Sequence, residues 1–144
     1  MSQENVERVR RGFDALNAAE AEDLDVWILE CLDSEIEWRT SREDPDAATH
    51  CGHKAVRRYA DQWLDSFVGL HADVVEFIHA GGGRLFAWTR WTGRGRGSGI
   101  HAEWWLALVY TFRDGKVLRV EEYFDRAEAL EAVGLSEQDA HADS

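Results

Sequence analysis

The feature that most constrains the fold is a change of hydrophobic period along the chain. In most of the first 67 residues, apolar side chains recur every three or four positions, which predicts amphipathic helices. From residue 70 to 124 the pattern is that of successive strands separated by glycine-containing turns. The predicted helices are one through Val6–Leu16, a short one after Asp23, one through Val56–Phe67 and one over 126–133.

Five strands are predicted, over residues 35–40, 70–80, 84–92, 100–112 and 117–124. The order of elements is therefore ααβαββββα, with neighbouring antiparallel strands and most of the helices in the N-terminal half. This arrangement predicts an α+β fold and not a doubly wound parallel sheet. The last helix also carries local end signals, because Asp125 and Glu128 form a capping box and Gly134 with Leu135 is typical of a helix C-terminus.

Alternation of side chains predicts which strand residues share the inner face of the sheet. Even-numbered positions are the apolar ones in most strands, so they are assigned to the inner face. The loop Arg113-Asp114-Gly115 is interpreted as a three-residue hairpin with Gly115 in a left-handed bulge, because this pairs even positions with even positions. A two-residue Asp-Gly turn is rejected since it would divide the apolar face.

Two ionisable residues fall on this otherwise apolar face, Glu122 and Arg90. A carboxylate among aromatic side chains is costly unless it is paired or protonated. One interpretation is a purely structural ion pair. The other is a ligand pocket in which Glu122 acts as acid or base and Arg90 orients it, as perturbed carboxylates often mark functional sites. If Arg90 lies within reach, we expect Glu122 to be ionised and suited to act as a base.

Composition narrows the classes of partner. The 144 residues suggest one domain, and the net charge of −12 argues against nucleic acid or an anionic membrane as a partner. Between residues 18 and 46, eleven acids stand against two arginines. A domain over 1–135 and an acidic, disordered tail over 136–144 are predicted. The N-terminus lacks the apolar region of a signal peptide, so a cytoplasmic location is expected.

No metal and no cofactor is expected. The segment His50-Cys51-Gly52-His53 together with Cys31 fits no standard zinc spacing, and is interpreted as loop residues. The glycine-rich stretch of residues 93–99 is followed by a strand and not by a helix, so it is not a dinucleotide fingerprint. Its two arginines resemble an RNA-binding Arg-Gly tract, but the negative charge opposes that role.

Two segments carry a resemblance to a known family. GRGRGSGIHAEWWLALVYTFRDGKVLRVEEYFDRAEALEAVGL and WRTSREDPDAATHCGHKAVRRYADQW resemble SnoaL-like proteins of the nuclear-transport-factor-2-like, ketosteroid-isomerase-type superfamily. The resemblance covers nearly the whole chain. It implies a cone, in which a strongly bent, mixed or antiparallel sheet wraps around the N-terminal helices, with a hydrophobic pocket at one end. It also implies a homodimer formed through the outer sheet face, here carrying Trp91, Trp105 and Tyr123.

The resemblance transfers residue by residue only in part. Glu122 matches the water-activating carboxylate of limonene-epoxide-hydrolase-type members, and Arg90 matches their arginine. Thr92 stands where those enzymes have a second carboxylate, while Trp38 and Thr40 replace their tyrosine and asparagine. Compared with the steroid isomerases, the base would fall near Trp38, and the first helix has no tyrosine.

The sequence thus predicts a small soluble domain that binds a small, largely apolar molecule. In the enzymatic interpretation it is a cofactor-independent isomerase, cyclase or epoxide-hydrolase-like hydrolase, with Glu122 and Arg90 as catalytic residues. The alternative is a non-catalytic ligand-binding or interaction module of the same fold. The predicted substrate-binding residues are Trp38, Thr40, Tyr59, Trp63, Trp88, Thr92, Trp104, Leu106 and Phe124.

Overall fold

A computed structural model describes residues 2–136 and has four helices and a six-stranded sheet. The predicted tail begins at Ser136, and its remaining residues, 137–144, lie outside the described part. The helices are α1 (Ser2–Ala18), α2 (Ala21–Cys31), α3 (His53–Ser66) and α4 (Arg126–Ala132). The strands are β1 (Leu32–Arg39), β2 (Thr49–Cys51), β3 (Phe67–Ala80), β4 (Arg84–Gly95), β5 (His101–Arg113) and β6 (Lys116–Tyr123).

The sheet order is β2-β1-β6-β5-β4-β3. Strands β1 and β6 are parallel and all other neighbours are antiparallel, so the sheet is mixed. The inner face packs on α1, α2 and α3, and together they form the main hydrophobic core. The predicted α+β cone is confirmed. Strand β2 was missed because three residues are too few to show a period.

The outer face of the sheet has its own, smaller core. Phe86, Ala107 and Val109 pack there against α4 through Ala129 and Leu130. The predicted ends of α4 are confirmed: the Asp125 side chain accepts hydrogen bonds from the backbone N–H groups of residues 127 and 128, and Gly134 has a φ of 78°. The sheet is therefore apolar on both faces where α4 covers it.

The hairpin between β5 and β6 differs from the prediction. Arg113 pairs with Lys116 across a two-residue turn, in which Asp114 and Gly115 have φ angles of 52° and 78°. Positive φ at both central residues is the geometry of the tight turn that favours hairpins. Leu118 is then skipped in the pairing, and this bulge restores even-to-even register further along the strands. The predicted turn was wrong, but the predicted shared face near Glu122 is correct.

The prediction that the even-numbered residues of β4 face inward was also wrong. Trp91 pairs with Trp104 and Arg90 with Trp105, so the odd positions of β4 share a face with the even positions of β5. The odd-numbered and the even-numbered residues of β4 are both largely apolar, because the odd-numbered set lines the main core and the even-numbered set packs under α4. Alternation in the sequence therefore could not identify the inner side of this strand.

Within residues 2–136, no helix is both long and apolar enough to cross a membrane.

Candidate functional site

A partly open cavity of about 80 Å³ lies between the inner face of the sheet and the helices α1, α2 and α3. One water needs roughly 10–15 Å³ on such a measure, so the cavity has room for several water molecules or for a group of comparable size. The walls are almost entirely carbon, from aromatic and aliphatic side chains. Apart from tryptophans, the lining residues with polar side chains are Tyr59, Tyr110 and Glu122. The remaining lining residues are Val9, Gly12, Phe13, Leu16, Leu24, Trp27, Ile28, Trp38, Val56, Ala60, Trp63, Trp91, Trp104, Leu106 and Leu108.

Glu122 is the one acidic group in this lining, and only 6% of its surface is exposed. The indole Nε1 of Trp38 donates a hydrogen bond of 2.6 Å to its Oε2. The Tyr59 hydroxyl lies 2.9 Å from both carboxyl oxygens and donates to them. Hydrogen bonds to a charged group are about twice as strong as neutral ones, so the two donors hold the carboxyl group in one orientation.

The fold brings these three residues together from distant parts of the chain. Strand β1 runs parallel to β6 and Trp38 pairs with Val120, which places the indole beside Glu122 on the inner face. Tyr59 comes from α3, whose apolar stripe turns toward the sheet. His50 of β2 stacks on the Tyr59 ring, with centroids 4.4 Å apart, and so supports the phenol from its other side.

Burial raises the pKa of Glu122 to about 7, although the hydrogen bonds from Trp38 and Tyr59 favour the ionised form and lower it. The negative charge of Asp44 adds to the rise. The pKa of Tyr59 is raised by burial and by the charge of Glu122, so the phenol remains a donor. The carboxyl group therefore exchanges its proton near neutral pH, where a general acid or base is most effective.

One wall of the cavity is a cluster of aromatic rings. Trp63 stacks on Trp104 with centroids 5.6 Å apart, and Trp91 lies 6.0 Å from Trp63. The Trp91 indole donates to the Thr89 hydroxyl at 2.8 Å, and Thr89 donates to a backbone carbonyl of β5. Because its polar atom is satisfied within the sheet, Trp91 presents only carbon to the cavity.

Six of the eleven predicted site residues line the cavity together: Trp38, Tyr59, Trp63, Trp104, Leu106 and Glu122. They come from β1, α3, β5 and β6, whose patterns identified the buried face correctly.

Arg90 does not lie beside Glu122, and the expected pair between them is wrong. Its guanidinium donates to Glu103 at 2.6 Å, and both side chains are partly exposed. The cause is the parity of β4 described above, which places Arg90 on the outer face. The prediction that Arg90 holds Glu122 in its ionised form is therefore also wrong.

Four other predicted residues also lie away from the cavity. Trp88 and Thr92 share the outer face with Arg90, and Trp88 stacks there on Trp105 at 5.4 Å. Phe124 follows the end of β6 and is 43% exposed. Thr40 follows β1, where its hydroxyl accepts from the Ala48 backbone N–H at 2.8 Å and so closes the loop before β2.

Thr40 lines a second cleft of about 480 Å³ that is more polar than the cavity. Arg39, Thr49 and Tyr123 also border it. Glu122 belongs to the lining of both spaces, so it stands between the apolar cavity and a polar surface cleft.

Sequence reasoning missed Trp91 and Tyr110 as cavity residues. Tyr110 has the same parity as Leu106 and Leu108, so the pattern of β5 already placed it on the inner face. Trp91 was assigned to the outer face, and its burial of all but 8% of its surface corrects this. The sequence offers only a weak signal that Trp91 faces the cavity, because its orientation depends on the register between β4 and β5.

The histidine and cysteine residues considered as metal ligands are dispersed. Cys31 is buried while Cys51 is exposed, and the His53 ring contacts the Leu32 carbonyl at 2.9 Å. Within the part of the chain that the structure describes, no three His, Cys, Asp or Glu side chains converge as metal ligands would.

Comparison with solved structures identifies the fold. Bal32a, from a soil-derived mobile gene cassette, is 23% identical with a TM-score of 0.73, covering 91% of this chain and 96% of that one. An NTF2-like protein from Burkholderia xenovorans LB400 is 28% identical with a TM-score of 0.64, covering 92% and 97%. TerC, co-crystallised with polyporic acid, is 20% identical with a TM-score of 0.70, covering 90% and 97%.

No protein of curated function matches the chain in sequence. The model of the SnoaL-like domain matches residues 9–120, which include three helices and most of the sheet. Since this match extends over most of the chain and the fold agrees with NTF2-like structures, the protein belongs to the SnoaL-like domain family.

Proposed function

We propose that the protein binds a small, largely apolar molecule in the cone cavity and that Glu122 transfers a proton to or from it. The observation that carries the proposal is a buried carboxyl group with a pKa of about 7 in the wall of an apolar cavity. The reaction class is isomerisation, cyclisation or hydrolysis, in which the side chains of the protein supply the acid–base chemistry.

The near-neutral pKa of Glu122 supports a role in proton transfer. Trp38 and Tyr59 each donate to the carboxyl group, so they orient it and partly offset the cost of its charge. Burial acts in the opposite direction, and the balance leaves protonated and ionised forms in similar amounts near neutral pH. A group in this balance takes a proton from one atom of a substrate and returns it to another with a small energetic cost in either direction.

The lining supports an apolar substrate of modest size. Trp63, Trp91 and Trp104 offer ring faces and edges, which contact planar or alicyclic molecules well. TerC, which has the same fold, was crystallised with polyporic acid, and this supports a small organic molecule as the ligand class. The polar cleft on the other side of Glu122 offers a path along which its proton exchanges with solvent.

The test is a turnover screen with epoxides, lactones and polyketide-like ketones, followed by mass spectrometry and NMR of the products. For any compound that is converted, Glu122→Gln preserves the shape of the side chain but removes its ability to accept a proton. We expect kcat to fall by roughly 10²- to 10⁴-fold, with little change in the affinity for a neutral ligand. Full activity in Glu122→Gln would remove Glu122 from the mechanism.

The second candidate is a non-catalytic binding module, and the hydrogen bonding of Glu122 favours it. Both oxygens of the carboxyl group already accept hydrogen bonds from Trp38 and Tyr59, as in a polar group that only stabilises the pocket. Binding of screened compounds without conversion of any of them, and equal binding by Glu122→Gln, would favour this module over the enzyme.

A further inference from the structure

The lining of the cavity combines many aromatic rings with a single acidic group. Eight of its 18 residues are aromatic, and five of those are tryptophans. The rings do not lie in one plane, since Tyr59 meets Trp63 at 84° and Phe13 meets Trp91 at 62°. The face of an aromatic ring carries a negative potential, and rings set at steep angles around one space form the kind of cage in which proteins bind organic cations.

The charges in and around the cavity are negative. Among the residues that the structure describes, the lining contains Glu122 and no Lys, Arg or His. The charge of Asp44 acts on Glu122 and contributes to raising its pKa. The net charge of the chain is −12, which attracts cations and repels anions at longer range. A positive charge inside the cavity would therefore be attracted both by the carboxylate and by the rings.

We propose that the cavity binds a small organic cation with a fully substituted nitrogen, such as a trimethylammonium group, and that ionised Glu122 is its counter-ion. This proposal names the ligand class of the same cavity, so it rests on the binding step of the proposed function, but it does not require catalysis. A trimethylammonium group is comparable in size with the several water molecules for which the cavity has room.

A fully substituted nitrogen fits this lining better than a protonated primary amine does. A primary ammonium group has three N–H donors, each of which needs an acceptor. The oxygens of Glu122 already accept from Trp38 and Tyr59, and the other walls consist mainly of carbon. Buried N–H groups would thus remain without acceptors, which is costly. A quaternary nitrogen has no N–H group and presents only methyl groups to the rings.

Glu122 is also the group that changes the charge of the cavity near neutral pH. Burial raises its pKa to about 7. Burial and the charge of Glu122 raise the pKa values of Tyr59 and Tyr110, so both phenols stay neutral in this range. A bound cation favours the ionised carboxyl group, so its affinity should increase with pH until Glu122 is fully ionised.

The test compares choline with 3,3-dimethyl-1-butanol, a neutral isostere in which carbon replaces the positively charged nitrogen. Binding is measured by calorimetric titration at constant ionic strength. At pH 8 we expect choline to bind at least about tenfold more tightly than the alcohol. Since the pKa of Glu122 is about 7, the affinity for choline should fall by about tenfold between pH 8 and pH 6, while that for the alcohol stays constant.

Two variants assign the effect to Glu122. In Glu122→Gln the preference for choline should disappear, while the affinity for the alcohol changes little. Glu121→Gln is the matched control, because it removes the same charge from the neighbouring residue of β6, which does not line the cavity. Both affinities should stay as in the wild type there. Proton release gives a further readout: at pH 7, choline should release about 0.5 proton per molecule bound, and the alcohol none.

The outcomes separate this proposal from the proposed function. If the alcohol binds as tightly as choline at pH 8, the preference for a cation is overturned and the apolar site remains. A preference for choline that persists in Glu122→Gln would show a general attraction to the negative protein and would also overturn the proposal. Binding of neither probe would overturn it as well, and the turnover screen would then decide on the proposed function independently.

Discussion

Replacing Glu122 by glutamine should change how the stability of the protein depends on pH, and this requires no knowledge of the ligand. In the folded protein burial raises the pKa of Glu122 to about 7, whereas its usual value is 4.5. Between these two values the folded state binds the proton more tightly than the unfolded state does. The wild type should therefore lose stability as the pH rises from about 4.5 to about 7, and lose no more from this group above that range.

The magnitude follows from the difference between the two pKa values. It is about 2.5 pH units, and each unit corresponds to about 1.36 kcal/mol, so the loss is about 3 kcal/mol. Glutamine has no such proton and keeps an oxygen that accepts from Trp38 and Tyr59. The stability of Glu122→Gln relative to the wild type should thus increase by about 3 kcal/mol between pH 4.5 and pH 8.

The assay is urea unfolding at several pH values, followed by tryptophan fluorescence and far-UV circular dichroism. Contributions from other titrating groups cancel when the variant is subtracted from the wild type, and Glu121→Gln serves as the control on the outer face of the same strand. A difference between Glu122→Gln and the wild type that stays constant from pH 4.5 to 8 would refute the reasoning. So would an equal change in Glu121→Gln.

Three further predictions concern Trp38, Gly12 and Trp105. Trp38→Phe removes a donor to the ionised form of Glu122, so the pKa of that carboxyl in the folded protein should rise further, by about one unit. The loss of stability should still begin near pH 4.5 but should extend to higher pH than in the wild type. In Gly12→Ala the new Cβ would lie 2.5 Å from the ring of Trp27, whose indole is held by a hydrogen bond to the Arg8 carbonyl oxygen. The overpacking should cost about 1–3 kcal/mol in urea unfolding, and an unchanged stability would contradict it. The homodimer through the outer face of the sheet stays a prediction. Trp105 is 38% exposed on that face, so Trp105→Arg should shift the protein from dimer to monomer in sedimentation. A variant that remains a dimer would contradict the prediction.

Local sequence signals determined the elements with strong periods or end motifs. The stripe of α3 and the alternation of β5 placed Tyr59, Trp63 and Leu106 in the cavity wall, because their orientation depends only on residues within a few positions. Asp125 is the N-cap of α4, as predicted. This was predictable because an N-cap contacts backbone groups only two or three residues away. Glu122 was identified as unusual because a charge stood in an otherwise apolar alternation.

Long-range register was decided only by the tertiary structure. A strand that is apolar on both sides, such as β4, has no preferred face in its sequence, and its pairing with β5 placed Arg90 beside Glu103 and Trp91 in the core. The partners of Glu122 were likewise undetermined, because Trp38 and Tyr59 reach it across 84 and 63 residues. The sequence by itself determined that a carboxyl group is buried among aromatic rings. Only the packed structure, by setting which donors face it, decided its proton affinity.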